Sequence, residues 1–185
     1  MNLDINPIVV PIELLGFTEL NSKHVCQTLF NKMAAVLTMN NQFSPTVFLI
    51  TEETCILINA TSFMQNNSTK DELSFFLRES AKETYIIGIA FASQGYVREA
   101  TKQEQETGIQ ENYCPVANHP DKQDAIIIQC EWYTSNQYML TASFTKEKDN
   151  NNSEYIQIQP ATASQNFDGR FANLFPPTRI GKYYN

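Results

Sequence analysis

The sequence predicts an α+β domain: one antiparallel sheet of five to six strands, with two helices packed mainly on one face. Three observations carry that expectation. Two segments repeat apolar residues at helical spacing. Several short runs concentrate or alternate β-branched and aromatic residues. The helices stand between pairs and triplets of strands rather than alternating with single strands, which favours an antiparallel sheet. The size fits one core: 185 residues, 42% hydrophobic and 11% aromatic.

Residues 1–20 are apolar but interrupted by Pro7, Pro11 and Gly16. They read as an extended arm with a short strand between Ile8 and Leu14. Asn21 or Ser22 can cap the helix that follows, in which Val25, Leu29, Met33, Val36 and Leu37 make one stripe. The stripe fades at Asn40, and Pro45 forbids continuation. Thr46 to Ile50 and Thr54 to Ile58 are two apolar runs around Thr51-Glu52-Glu53, a hairpin pattern. Thr69 and Glu72 have capping-box spacing ahead of a second helix carrying Leu73, Phe76, Leu77 and Ala81.

Tyr85 to Ala92 is the strongest strand signal and extends with weaker alternation to Val97. A polar excursion follows from Glu99 to Asn118. Asp124 to Trp132 and Tyr138 to Thr145 form a strand pair around Ser135-Asn136, and Tyr155 to Ile158 is a last strand. From Pro160 onward the chain reads as irregular and rich in aromatics. The organisation is therefore an arm (1–20), one domain (21–160) with an excursion near 99–120, and a tail (161–185). The order α-β-β-α-β-β-β(-β) is similar to the roadblock/longin and profilin-like arrangement, a dimerising scaffold fold, in element order alone.

Composition narrows the function classes. With 13 Lys+Arg against 20 Asp+Glu, the net charge is -7. Phosphate backbones are repelled on average, so a nucleic-acid partner is not expected. Asn and Gln together make about one residue in six, replacing charge with amide. The start, Met1-Asn2-Leu3-Asp4, lacks the basic residues and unbroken apolar stretch of an export signal, and no run is long enough for a membrane span. The expectation is a cytoplasmic protein without membrane association. Cys26, Cys55, Cys114 and Cys130 form no Cys-x-x-Cys pair and read as reduced thiols, with Cys114 alone in a polar stretch.

The candidate site residues are few. His119-Pro120-Asp121 places an imidazole beside a carboxylate, a pattern that serves general acid/base work and equally makes a turn ahead of a strand. Glu131 falls on the strand face shared with Ile127 and Gln129, and Arg98 on the previous strand is its expected ion-pair partner if the strands align. His24 is expected to be solvated in the first turn of its helix. Two isolated histidines do not make a metal site. There is no phosphate loop and no nucleophile elbow, so no metal or cofactor is expected.

Ile87 to Val97, then Pro115-Val116-Ala117-Asn118-His119-Pro120-Asp121-Lys122, then Asp124 to Ile128 resembles a loose group of small bacterial and phage proteins. They share an apolar strand, a His-Pro-Asp-basic loop and a second apolar strand. The resemblance covers residues 45 to 145. This chain has Gln94-Gly95-Tyr96 where the group places an acidic residue, a small residue and Trp. The group carries no assigned activity, so the resemblance implies organisation and a bacterial or phage origin only.

The functional expectation is a non-enzymatic interaction or scaffold protein, self-associating or binding a protein partner. One alternative is an enzyme or small-ligand binder with a pocket under residues 99–118. The other is a nucleic-acid accessory factor that uses Arg170, Arg179 and Lys182 among the tail aromatics.

Overall fold

The computed structural model describes residues 6–99, 101–102, 106, 118–134, 136–150, 152–165, 167 and 170–176. Most of the excursion after Glu99, expected to cover a pocket, lies outside the described residues, as do Cys114, Arg179 and Lys182. The elements are β1 (Ile8–Pro11), a 3-10 turn (Ile12–Leu15), α1 (Ser22–Asn40), β2 (Thr46–Ile50) and β3 (Thr54–Asn59). A second 3-10 turn (Thr61–Met64) leads to α2 (Asn67–Ser80), then β4 (Gly88–Val97), β5 (Gln123–Trp132), β6 (Gln137–Lys148), β7 (Glu154–Ile158) and β8 (Thr162–Ser164). No helix among the described residues is long and apolar enough to cross a membrane.

α1 starts where expected. The Asn21 side chain accepts from the His24 N–H at 2.8 Å, and Asn41 ends the helix in a left-handed conformation (φ 59). α2 starts earlier than the spacing predicts. Asn66 is its cap, accepting from the Thr69 N–H, while the Thr69 hydroxyl accepts from the Asn66 N–H. Thr69 thus reciprocates a cap instead of being one, because extended Asn66 offers the stronger cap side chain.

All strand pairs are antiparallel, and the sheet runs β1-β3-β2-β4-β5-β6-β7, with β8 also on β6. Eight strands exceed the five to six expected, and their order differs from chain order. β1 adds outside β3, and β4 docks on β2. β7 and β8 lie end to end along β6, which runs to Lys148 rather than stopping at Thr145. Gln159 donates to the Ser143 carbonyl and Thr162 faces Thr141, so residues 160 and 161 bulge opposite Ala142. Pro160, which has no N–H, sits in that bulge.

The helices lie on opposite faces, not on one. Phe48, Ile50, Cys55, Ala90, Ile126, Ile128 and Cys130 pack in one core with Val25, Cys26, Leu29 and Leu37 of α1. Val47, Leu49, Ile58, Ile89 and Phe91 pack in a second core with Leu73 and Leu77 of α2. The cause is that β2 from Val47 to Ile50 and β4 from Gly88 to Ser93 are buried on both sides, which one layer of helices cannot achieve. Each fully buried Leu or Ile contributes about 1.5–3 kcal/mol, so both cores are needed.

Gly88 faces Trp132 across β4 and β5. A Cβ there would meet the Trp132 ring at 2.2 Å, so only glycine lets the indole lie flat over the strand.

Candidate functional site

His119 and Asp121 are brought together, but as a turn. The Lys122 N–H donates to the His119 carbonyl at 3.3 Å, and the Asp121 N–H donates to His119 Nδ1 at 3.1 Å. An Nδ1 that accepts from a backbone N–H carries no proton of its own, so the carboxylate 3.9 Å away is not hydrogen-bonded to it. Lys122 lies over the Tyr96 ring, 4.5 Å from its centroid, and ties the turn to β4. His24 is half-buried rather than solvated. Its Nε2 meets the Thr18 hydroxyl at 2.9 Å and accepts from the Thr18 N–H at 3.3 Å.

Arg98 and Glu131 are not brought together. The register sets Glu131 opposite Ile89, whereas Arg98 follows Val97, which faces Gln123. Nine residues of strand, about 30 Å at 3.3 Å per residue, separate them. Arg98 instead donates to the Glu99 carbonyl. The two residues belong to the same strand pair at opposite ends.

Glu131 is the charged side chain placed most unusually. It is 3% exposed. Its Oε1 accepts from the Phe175 N–H at 3.0 Å and its Oε2 from the Gln137 side chain at 3.2 Å. A buried carboxylate persists only when hydrogen-bonded, and both oxygens are. The group it holds is a segment from the C-terminal region. Phe167, Ala172, Leu174 and Phe175 are buried, and the Phe171 ring lies 4.9 Å from that of Phe91.

Further side chains bind the same segment. Ser74 donates to the Arg170 carbonyl at 2.7 Å. Arg78 donates to the carbonyls of Asn173 at 2.6 Å, Ala172 at 3.1 Å and Arg170 at 3.4 Å. Arg170 in turn reaches Asp71 at 2.8 Å. The described tail aromatics therefore pack on the sheet face beside α2, and Arg170 is engaged by an acidic residue of that helix.

The two outer edges of the sheet differ. The Ile12 N–H donates to the Glu53 carbonyl, one step beyond the Pro11–Thr54 pair. Antiparallel bonding alternates, so Ile8 and Val10 face β3, while Pro7, Val9 and Pro11 point outward. Two of those three positions lack an N–H, and this edge offers one donor. At the other edge, the Asp149 N–H donates to the Ser153 carbonyl and the Gln159 N–H to the Ser143 carbonyl. Tyr155 and Gln157 therefore face β6, and the backbones of Glu154, Ile156 and Ile158 point outward. No proline interrupts that row until Pro160. Prolines at alternate positions were a readable signal of the guarded edge; nothing comparable marks the open one.

Cys26, Cys55 and Cys130 are buried free thiols. Burial pushes Cys26 and Cys55 up to about 12 and raises Cys130 strongly, so none is a thiolate near neutral pH. The larger hollows are open surface clefts. One of about 630 Å³ is lined by Met33, Phe43 and Pro45 among others, and one of about 450 Å³ by Glu52, Glu53 and Tyr85 among others. No group of three or more His, Cys, Asp or Glu among the described residues could hold a metal ion. The chain matches no family model, no curated protein and no solved structure.

Proposed function

We propose that this chain is a non-enzymatic interaction protein that self-associates through the β7 edge. The observation that supports this reading is the contrast between the edges. Natural sheets blunt an edge strand with proline, charge or a bulge unless it is to be paired. Pro7 precedes β1 and Pro11 ends it, and β8 begins after the Pro160 bulge, whereas β7 carries no proline or bulge from Glu154 to Ile158 and its one charge, Glu154, is at its first position, 3.9 Å from Lys148 of β6.

The outward positions Glu154, Ile156 and Ile158 are symmetric about Ile156. Two antiparallel copies of β7 then place Ile156 opposite Ile156, and Glu154 opposite Ile158. Every outward N–H and C=O of the three residues finds a partner, the self-complementarity that a two-fold interface requires. The side chains flanking the axis, Tyr155 and Gln157, carry no formal charge, so the pairing creates no like-charge contact there even in a chain of net charge -7.

Native mass spectrometry and light scattering of the full chain test the reading, with a dimer expected. Tyr155→Lys combined with Gln157→Lys puts cations across the axis at exposed positions without touching the intramolecular ladder. It is expected to weaken the dimer at least tenfold while the melting temperature stays close to that of the wild type. A monomer at all concentrations, or a dimer indifferent to the double substitution, rejects the β7 edge.

A further inference from the structure

Residues 170–175 are held the way a bound peptide is held. The folded body reaches their backbone with side chains rather than with a strand ladder. Ser74 and Arg78 of α2 donate to three carbonyls, and Glu131 of β5 accepts the Phe175 N–H. Gln137 of β6 bridges Glu131 and the Asn173 side chain, at 3.2 and 3.1 Å. Bonds to backbone atoms grip a segment whatever its side chains; side-chain sockets then select which one, and here the segment is turned, with Asn173 in the left-handed region (φ 53).

The segment's side chains also sit in sockets. Phe171 stacks on Phe91, Leu174 and Phe175 are buried in the α2 core, and Arg170 pairs with Asp71. The segment has no strand or helix of its own, so its departure breaks no ladder.

We propose that the groove between α2 and the β4–β6 face is a peptide-binding site. Its ligand is a turned segment of a partner protein with the pattern Arg-Phe-x-Asn-Leu-Phe, the Asn taking the left-handed conformation that Asn173 has (φ 53), and residues 170–175 are the resident, displaceable occupant. The acidic Asp71 at one end of the groove sets the need for a basic residue ahead of the first aromatic. Tethering gives the resident segment a millimolar-scale effective concentration, so a partner's segment competes only if it is abundant, tight or multivalent. The site lies on a sheet face and is independent of the β7 edge.

The test uses the full chain. Hydrogen exchange followed by mass spectrometry is expected to show amides 171–175 opening together, at least tenfold faster than those of β4 and β5. A fluorescein-labelled peptide Arg-Phe-Ala-Asn-Leu-Phe is expected to bind saturably, and its Phe→Ala analogue not to bind. Phe171→Ser with Leu174→Ser in the full chain loosens the resident segment and leaves the groove intact. That variant is expected to bind the peptide at least tenfold more tightly than the wild type. Adding Arg78→Ala to it should remove most of the gain.

Exchange of amides 171–175 only through global unfolding overturns the proposal, and this measurement needs no variant to fold. Absence of saturable binding to both the wild type and the loosened variant overturns it too. A dimer that the loosened variant alone dissolves would show the groove filled by a second copy, against the partner reading. Tyr155→Lys with Gln157→Lys is expected to leave peptide binding unchanged, which keeps this site's failure distinct from failure of the edge.

Discussion

The two faces of one sheet are closed by different means. On the first, α1 runs 19 residues and covers the sheet largely alone, with Val25, Cys26, Leu29 and Leu37 fully buried. That core also takes in Trp132 and Tyr138, Ser22 at the start of α1 is buried, and Cys26 donates weakly to the Ile128 carbonyl. On the second, α2 runs 14 residues and packs over β2, β3 and β4. The strip over β5 and β6 is left to residues 170–175, which have no helix or strand ladder of their own. A helix satisfies its backbone internally, whereas an irregular segment must find side-chain partners. Hence the buried Glu131 and Ser74 of the second face bond to the segment's backbone, and Arg78 reaches it from α2.

Cutting a hole in the first face is the strongest way to test this contrast. Leu29→Ala removes a fully buried side chain from a helix with no means of collapsing into the gap. The expected loss is about 2–5 kcal/mol in urea unfolding, spread over the whole domain. If only local exchange near α1 changed, the idea that this face sets global stability would fail.

The thiols mark the same face by pH. Cys26 and Cys55 stay protonated up to about 12 when folded, against a usual value of 9.0. Above pH 9 the unfolded chain loses these protons and the folded chain does not. The stability they contribute is full below pH 9 and falls as pH rises toward 12. Each such thiol contributes a slope of about 1.4 kcal/mol per pH unit, so Cys26 and Cys55 together contribute about 3. Urea midpoints at pH 8, 9, 10 and 11 measure it, and Cys55→Ala is expected to reduce the slope by about one thiol's share.

Much of this arrangement is written locally. The α1 stripe, the β2–β3 hairpin and the long β4, β5 and β6 runs are read from spacing and turn residues within a few positions of each error. The two-sided burial is also latent in the residues: Val47, Phe48, Leu49 and Ile50 form an unbroken apolar run, and a strand facing water on one side alternates instead. Reading the helices as sharing a face overlooked that run. The site was less legible for a physical reason. Glu131 meets an N–H 44 positions away, and Arg78 meets carbonyls more than 90 positions away. Side-chain bonds to a distant backbone leave no periodicity and no motif. Arg98 failed in the opposite sense, because strand adjacency was read without register, and register decides which end of a strand pair two residues occupy.

On the second face the expected effects are smaller and local. Glu131→Ala leaves the Phe175 N–H and one Gln137 donor without their acceptor. The expected cost is about 1–3 kcal/mol. The sharper readout is location: exchange of amides 171–175 should accelerate more than that of the α1 face. A uniform acceleration would mean that the two faces unfold as one unit and that their different construction has no dynamic consequence.

The finest distinction lies in α2 itself. Asn66 and Thr69 close its first turn reciprocally, and the Thr69 hydroxyl also donates to the Phe63 carbonyl at 2.9 Å, tying helix to preceding turn. Asn66→Ala removes the acceptor for the Thr69 N–H and is expected to cost about 1 kcal/mol. Ser74 and Arg78 sit in the second half of the helix, about two and three turns beyond that cap. Fraying of the first turn therefore reaches the Arg170–Asp71 pair before it reaches the carbonyls held by Arg78. Exchange in Asn66→Ala should rise first at the amides of α2's opening turn, then at Phe171, and least at Phe175, which Glu131 holds from the sheet. The reverse order would place the anchor of the segment on the helix rather than on the sheet.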